Sequence, residues 1–283
     1  MPEGPEIRRA ADVVADCIAG RVADEVWFAF RHLKPFEPRL SGVEVRAVEV
    51  RGKAMLTRFA SGLVIYSHNQ LYGRWYCCPA GERPDIRRQL RLAIHNRTSS
   101  ALLYSASAIE VLQESELATH PFLSRLGPDV LDPATDRSRL LARLAERCFR
   151  NRQLGALLTD QGFVAGLGNY LRCEILFVAG LHPRLRPVQL METQRRRLAD
   201  AIVQLPRQSY ESGGITNDLA CARELMANGA DFEAARFWVF RRESLPCYRC
   251  GAPIAKQVLN GQPTYLCLQC QKAGLTEPGV IRQ

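Results

Sequence analysis

Val43-Glu44-Val45-Arg46-Ala47-Val48-Glu49-Val50 alternates apolar and polar residues, as a strand with one buried face should. Strand-like runs at 22–30, 54–59, 63–67, 73–78, 89–95 and 101–105 surround it, separated by turn signals at Arg51-Gly52, Ser61-Gly62 and Gly81 to Pro84. Such a density of short strands predicts a β-sandwich. Ahead of it, Ile7, Ala10, Ala11, Val14, Cys17 and Ile18 recur at helical spacing over 5–19, and Gly20 supplies a stop. An N-terminal sandwich with a flanking helix is therefore expected over 1–125.

Residues 126–136 are rich in Pro, Gly and Asp and are expected to be a linker. Helical patterns then occupy 137–147, 151–161, 169–179 and 187–205, with a weaker one near 217–228. A glycine-rich turn, Gly162 to Asn169, joins two of these helices, an arrangement that often presents backbone N–H groups to phosphate. A helical domain is expected over 137–236 and a further small module over 237–271. The fold class is α+β.

That last module carries Cys247-x2-Cys250-x16-Cys267-x2-Cys270. Two Cys-x2-Cys knuckles on either side of a hairpin can place four thiolates tetrahedrally around one Zn²⁺. The hairpin is expected between Val258 and Tyr265, with Asn260-Gly261 as its turn. Four thiolates leave no open coordination position, so the zinc is structural. The other six cysteines lie among apolar residues, as reduced core cysteines do.

The chain has 283 residues and a formal net charge of +9, which suits a polyanionic partner. Of its 38 basic residues only Lys34, Lys53, Lys256 and Lys272 are lysine. No apolar run is long enough to span a membrane, and the start lacks the basic and apolar regions of a signal peptide. A cytoplasmic protein is expected.

The opening Met1-Pro2-Glu3 offers a chemistry once Met1 is removed. A secondary amine that attacks a sugar C1′ gives an iminium ion, an electron sink for elimination at C3′. Glu3 can donate a proton to the opening sugar ring. The plain alternative is a frayed terminus with first-turn carboxylates for the helix dipole. Lys53 sits at a strand-to-strand turn, where its alternative is a solvated lysine. Gln70-Leu71-Tyr72 follows a strand and combines a polar reader, an apolar wedge and an aromatic plate, suited to the hole left by a flipped base. Its alternative is a Leu and Tyr tucked into the sandwich edge.

Taken in order, these stretches resemble the formamidopyrimidine-DNA glycosylase and endonuclease VIII family, and within it the bacterial endonuclease VIII branch. The likeness rests on Pro2 to Ile7, Arg51 to Ala54, Tyr66 to Gly73, His120 to Asp129, Ala165 to Arg172 and the cysteine ribbon. It implies that Pro2 is the Schiff-base nucleophile, Glu3 the proton donor for base release and Lys53 a second proton donor. It also implies DNA contacts from His68, Gln70, Leu71, Tyr72, Arg125, Asn169 and position 262. Asn169 belongs to a helix–two-turns–helix motif over roughly 151–179. The implied activity is a bifunctional DNA glycosylase and abasic-site lyase. It would act on double-stranded DNA with oxidised pyrimidines or abasic sites, nick by β,δ-elimination and work as a monomer.

One position departs from the family. An arginine expected five residues before the third zinc cysteine is Gln262, which offers phosphate no charged fork. Weaker phosphate binding and a slower δ step are expected. Two rival readings remain: an oxidised-purine glycosylase, and a lesion-binding protein with weakened catalysis.

Overall fold

Helix α1 (Gly4–Ile18) begins where Pro5, in its first turn, gives up no needed N–H, and where the Glu6 carboxylate accepts from the Glu3 backbone N–H at 3.0 Å. Its apolar stripe buries Ile7, Ala11, Val14, Cys17 and Ile18, while Arg8 and Asp12 pair across the exposed face. The computed structural model describes residues 2–259 and 261–272. The chain divides after Leu126 into two units.

In the first unit, the run expected at 22–30 divides at Asp24 into β1 (Arg21–Ala23) and β2 (Glu25–Phe28), which join different sheets. A 3₁₀ turn and the short α2 (Glu37–Leu40) lead to β3 (Val43–Arg51), β4 (Ala54–Phe59), β5 (Leu63–His68), β6 (Arg74–Pro79), β7 (Leu90–His95), β8 (Ser99–Tyr104) and β9 (Ala108–Gln113). One sheet runs β1-β3-β4-β5-β9 and the other β2-β7-β8-β6, with antiparallel pairs throughout. Strand β9 falls outside every expected run. The alternation in β3 changes phase at Ala47-Val48, and the register there shifts between Val45 and Ala47. A bulge keeps both halves' apolar residues inward.

Between the sheets lie Val26, Phe28, Leu92, Ile94 and Leu103 from one and Val45, Met55, Phe59, Leu63 and Ile65 from the other, with Val14 and Ile18 of α1 in the same cluster. Truncating a side chain as buried as Phe59 would cost about 3–5 kcal/mol. The core therefore fixes where α1 and its capped N-terminus sit.

The second unit begins inside the stretch expected to be a linker. Asp129 bridges Ala165 in parallel, and Val130 is fully buried. Helix α3 (Arg137–Ala145) is capped by Asp136, whose carboxylate accepts from the Arg139 N–H at 2.8 Å. The helix expected over 151–161 contracts to one turn, α4 (Leu154–Leu157). The N–H groups of Leu154 and Gly155 donate instead to Leu185 and Pro183 carbonyls, both at 2.8 Å. The Asp160 carboxylate takes the Gly162 N–H at 2.7 Å, and the Gln161 amide bridges Gly166 and Leu167. Side chains thus build the glycine-rich turn that continuing helix would have occupied.

Helix α5 (Asn169–Ala179) comes next, with almost every residue buried. Pro187–Gln189 forms a 3₁₀ turn, so α6 (Glu192–Glu211) starts later than the expected 187 and runs through Pro206. The obscure 206–236 stretch contains α7 (Leu219–Ala227), capped by Asp218, and α8 (Phe232–Ala235). Fully buried Glu174 of α5 ties the segment 238–240 to the helix core. It accepts from Trp238, Val239 and Phe240 N–H at 2.8, 2.9 and 2.9 Å, and from the Thr216 hydroxyl at 2.6 Å. The hairpin is β10 (Ala255–Leu259) and β11 (Gln262–Leu266), longer than expected at its first strand. Of its expected turn, Gly261 has φ +73°, and Asn260 lies outside the described residues.

Candidate active site

The first cluster forms at the start of α1. Pro2 is half-buried and Glu3, at the N-cap, is buried. The Arg51-Gly52-Lys53-Ala54 turn closes the β3–β4 hairpin, with Arg51 paired to Ala54. Gly52 has φ +63°, the geometry of a II′ hairpin turn that favours glycine at its first central position. This turn does not leave Lys53 solvated: the side chain is buried, with 7% exposure. Burial pushes its ammonium below the ordinary lysine range, against the opposing pull of the Glu3 and Glu6 carboxylates. An ammonium thus held gives up its proton more readily than a surface lysine and stays paired to carboxylates. Glu6 was absent from the sequence-based candidates. Its position one turn after Glu3 is the signal that could have found it.

His68, at the end of β5, is held below the usual histidine value by burial and by Lys53's charge. Its Nδ1 accepts from the Gln70 N–H at 3.0 Å, so the neutral ring carries its proton on Nε2. The ring meets Phe122 edge-on at 5.6 Å. Pro2, Glu3, Lys53 and His68 are therefore brought to one place.

The loop after His68 is shaped by its backbone. Gln70 takes φ +50°, uncommon for a non-glycine residue, and its side-chain oxygen accepts from the Ser107 hydroxyl at 2.6 Å. Gly73 packs against Asn69, where a Cβ would lie 2.6 Å from the Asn69 carbonyl oxygen. The tip raises Leu71 and Tyr72 to 61% and 69% exposure, so neither is tucked into the sandwich. Two large apolar side chains held in water invite a partner surface. Arg125 is exposed in a 3₁₀ turn, Leu123–Arg125, and makes no side-chain ion pair with another described residue.

In the second unit, Asn169 and Gln262 meet through Arg172. Its fully buried guanidinium donates to Asn169 Oδ1 at 2.5 Å, Thr264 Oγ1 at 2.7 Å, and Gln262 Oε1 and the Pro263 and Gly155 carbonyls at 3.3 Å. Asn169 Nδ2 donates to the Pro263 carbonyl at 2.9 Å. Both amide oxygens thus face Arg172, and the Asn169 NH₂ turns to the Pro263 carbonyl that Arg172 also reaches. Arg172 was not a sequence-based candidate, because an arginine inside an apolar helical run reads as a surface residue.

Cys247, Cys250, Cys267 and Cys270 bring their sulfurs within 4.8 Å of one another. The Cys247–Cys270 and Cys250–Cys267 pairs are 3.9 and 3.4 Å apart. Tetrahedral zinc with Zn–S bonds of about 2.3 Å requires edges of about 3.8 Å, so the donor set and spacing fit Zn²⁺. Behind it, Cys173 and Phe177 of α5 pack on Val239 and Ile254. Of the remaining cysteines, Cys17 and Cys173 are buried, whereas Cys77, Cys78 and Cys221 are half-buried and Cys148 is exposed, so the expected set of core cysteines is only partly internal. No described helix is long and apolar enough to cross a membrane.

Comparison with known proteins gives three family matches in order along the chain. Residues 1–106 match the formamidopyrimidine-DNA glycosylase N-terminal domain, 126–220 its H2TH domain, and 244–273 the zinc finger found in FPG and IleRS. Endonuclease 8 of Salmonella arizonae is 48% identical over 272 residues, covering 96% of this chain and all of that protein. Endonuclease 8 of Pectobacterium carotovorum is 47% identical over the same span. Among solved structures, the Lactococcus lactis formamidopyrimidine-DNA glycosylase bound to DNA containing an abasic site shares the fold. It has a TM-score of 0.78 at 20% identity, covering 95% of this chain and 99% of that one. With near half of its residues shared over almost its whole length, the chain belongs to the formamidopyrimidine-DNA glycosylase and endonuclease 8 family.

Proposed function

We propose that this member of the family is a DNA glycosylase of base excision repair that is also an abasic-site lyase, acting on oxidised pyrimidines in double-stranded DNA. The observation that carries the reading is Lys53, buried and facing the carboxylates of Glu3 and Glu6, Glu3 being the residue next to Pro2, whose nitrogen becomes a secondary amine once Met1 is removed. Few structural needs call for a buried lysine on a hairpin turn, whereas proton transfer beside a nucleophile does.

In this reading, the freed Pro2 amine attacks C1′ of the lesion nucleotide and the base leaves. Glu3 protonates the sugar ring oxygen as the ring opens, giving the Pro2 iminium. The Glu3 carboxylate, deprotonated by that step, then takes a C2′ proton, the C3′–O bond breaks and the 3′ phosphate leaves with a proton from Lys53. Loss of the C4′ proton to the same carboxylate, once freed of its proton, breaks C5′–O and releases the 5′ phosphate in the δ step. Leu71 and Tyr72 fill the space of the extruded nucleotide, with Gln70 reading the opposite base and His68 supporting the loop. Arg125, Asn169 and Gln262 contact phosphate. One structural Zn²⁺, held by the four ribbon cysteines, shapes the β10–β11 hairpin. No symmetry is needed to process one nucleotide, and the protein works as a monomer.

A duplex carrying thymine glycol, treated with borohydride during turnover, tests the reading. A covalent adduct that Pro2→Gly diminishes supports it. Faster turnover of an 8-oxoguanine duplex would replace the pyrimidine preference with the purine one. Tight lesion binding with no adduct would leave a non-catalytic lesion binder, the reading that neutral Gln262 favours.

A further inference from the structure

Cys17 and Cys77 lie far apart in sequence and side by side in the fold. Cys17 is on the last turn of α1, and Cys77 is on β6. The Cys77 thiol donates to the Val13 carbonyl at 3.6 Å, one helical turn before Cys17, so β6 sets this thiol against the turn of α1 that carries Cys17. Both belong to the sandwich core, Cys17 buried and Cys77 at its half-buried edge. Neighbouring Cys78 faces the other side of the sheet, its thiol 3.1 Å from the Glu82 carbonyl.

The surroundings favour one thiolate. Cys77's S–H, Ser99's hydroxyl and the Arg21 guanidinium bring the Cys17 thiol down to about 6, against burial, while Cys77 is pushed up chiefly by Cys17 itself. A cavity of about 480 Å³, lined in part by Arg21, Asn96 and Thr98, lies at the same end of α1. Arg21 and Asn96 donate to the Cys17 carbonyl at 2.8 and 3.0 Å. An activated sulfur with a second thiol packed against its helical turn is the arrangement of a redox-responsive pair.

We propose that Cys17 and Cys77 are a modification site: hydrogen peroxide, or a small organic hydroperoxide, closes them into a disulfide. The Cys17 thiolate attacks one peroxide oxygen, the O–O bond breaks and the leaving hydroxide takes a proton, giving Cys17 sulfenic acid. The Cys17 charge that held the Cys77 proton is then gone. Cys77 sulfur attacks Cys17 sulfur, the S–O bond breaks and water leaves. Two thiols lose two electrons and two protons, and hydrogen peroxide becomes two waters, an organic hydroperoxide an alcohol and one water. The bond joins α1, which Glu3 caps at its start, to β6, which begins just past Leu71-Tyr72. It staples the two elements from which the candidate site's N-terminus and its exposed loop extend.

The test treats the zinc-loaded full chain with hydrogen peroxide, alkylates the remaining thiols and maps disulfides by mass spectrometry. The expected product is about 2 Da lighter, joins the Cys17 peptide to Cys77, reverts with dithiothreitol and melts at a higher temperature than the reduced protein. Cys77→Ser and Cys77→Ala, each checked for an unchanged far-ultraviolet spectrum, should abolish the bond and leave Cys17 as sulfenic or sulfinic acid. Cys78→Ser should leave the bond intact. Alkylated Cys17 and Cys77 after a dose that oxidises exposed Cys148 would overturn the proposal, as would a disulfide from Cys17 to Cys78.

Discussion

Lys53 and Arg172 are both cations withdrawn from water, and the two units of the chain compensate them by different means. Lys53 faces the Glu3 and Glu6 carboxylates. Arg172 is met by dipoles: two side-chain amides, a hydroxyl and two backbone carbonyls. A lysine can lose its proton when burial lowers its affinity for it, whereas a guanidinium keeps its charge and serves as a rigid fork. The first arrangement suits moving protons. The second suits holding two amides in a fixed orientation. The lysine lies beside Glu3, the residue after Pro2, and the fixed charge beside Asn169 and Gln262.

The largest effect is expected at Pro2. Leaving one uncleaved residue ahead of it converts the amine to a tertiary amide without a nucleophilic lone pair. Single-turnover base release and nicking should fall by at least about 10³-fold, while binding to a duplex with a stable abasic analogue, measured by fluorescence anisotropy, stays within about threefold. A parallel loss of binding would show that the terminus holds DNA and does no chemistry.

Lys53→Gln comes next. Removing a positioned proton donor should slow nicking of a preformed abasic site by about 10²–10⁴-fold. The pH profile carries the sign. The ammonium is the donor and its proton affinity is lowered, so nicking should fall on the alkaline side, beginning below the ordinary lysine value of about 10.4. Stability moves oppositely: the unfolded chain binds the proton more tightly, so this group's contribution to stability rises with pH across the same interval. Lys53→Arg, which keeps the charge but holds its proton, should slow nicking as Lys53→Gln does and show no alkaline fall in the activity that remains. An unaltered alkaline limb in Lys53→Arg would assign it to another group.

Arg172→Gln sharpens the other half. Losing the guanidinium frees both amides and should weaken abasic-DNA binding about 10- to 150-fold, equal to about 1.5–3 kcal/mol for charge-assisted hydrogen bonds. Zinc content, measured with a chromogenic chelator, should remain stoichiometric. Loss of zinc together with binding would show that Arg172 supports the hairpin and not the amides.

The smallest effect is expected at Gln262→Arg. A second guanidinium adds a phosphate contact but deprives Arg172 of an acceptor. A gain of up to about tenfold in nicking, with a salt slope steeper by about one, is expected. No gain at low salt would show that Gln262 does not face phosphate.

The elements legible in the sequence were those set by local pattern. Helix α1 and the sandwich come from periodicity, the cluster of four cysteines from spacing, and α5 from a run that ends at Gly180. What stayed hidden was set by partners remote in sequence. The helix over 151–161 lost to tertiary acceptors at Pro183 and Leu185, and of 206–236 Thr216 is tied to the buried Glu174 carboxylate, which also holds 238–240. For the candidate site, the turn that carries Lys53 was visible, but its burial and its carboxylate partners were not, because Glu3 and Glu6 lie at the start of α1, remote from the turn in sequence. Arg172 was hidden for the same reason: its acceptors lie on α4 and β11 as well as its own helix.

A Pro2 nucleophile requires that the Pro2 nitrogen become bonded to a sugar carbon. The direct measurement is borohydride reduction of the complex with thymine-glycol DNA, then nuclease digestion and sequencing of the modified peptide by mass spectrometry. A deoxyribose-derived mass on the N-terminal peptide, fragmenting to Pro2 in a chain that has lost Met1, is the expected result. The same mass on Lys53, or an unmodified N-terminal peptide beside nicked DNA, would contradict it.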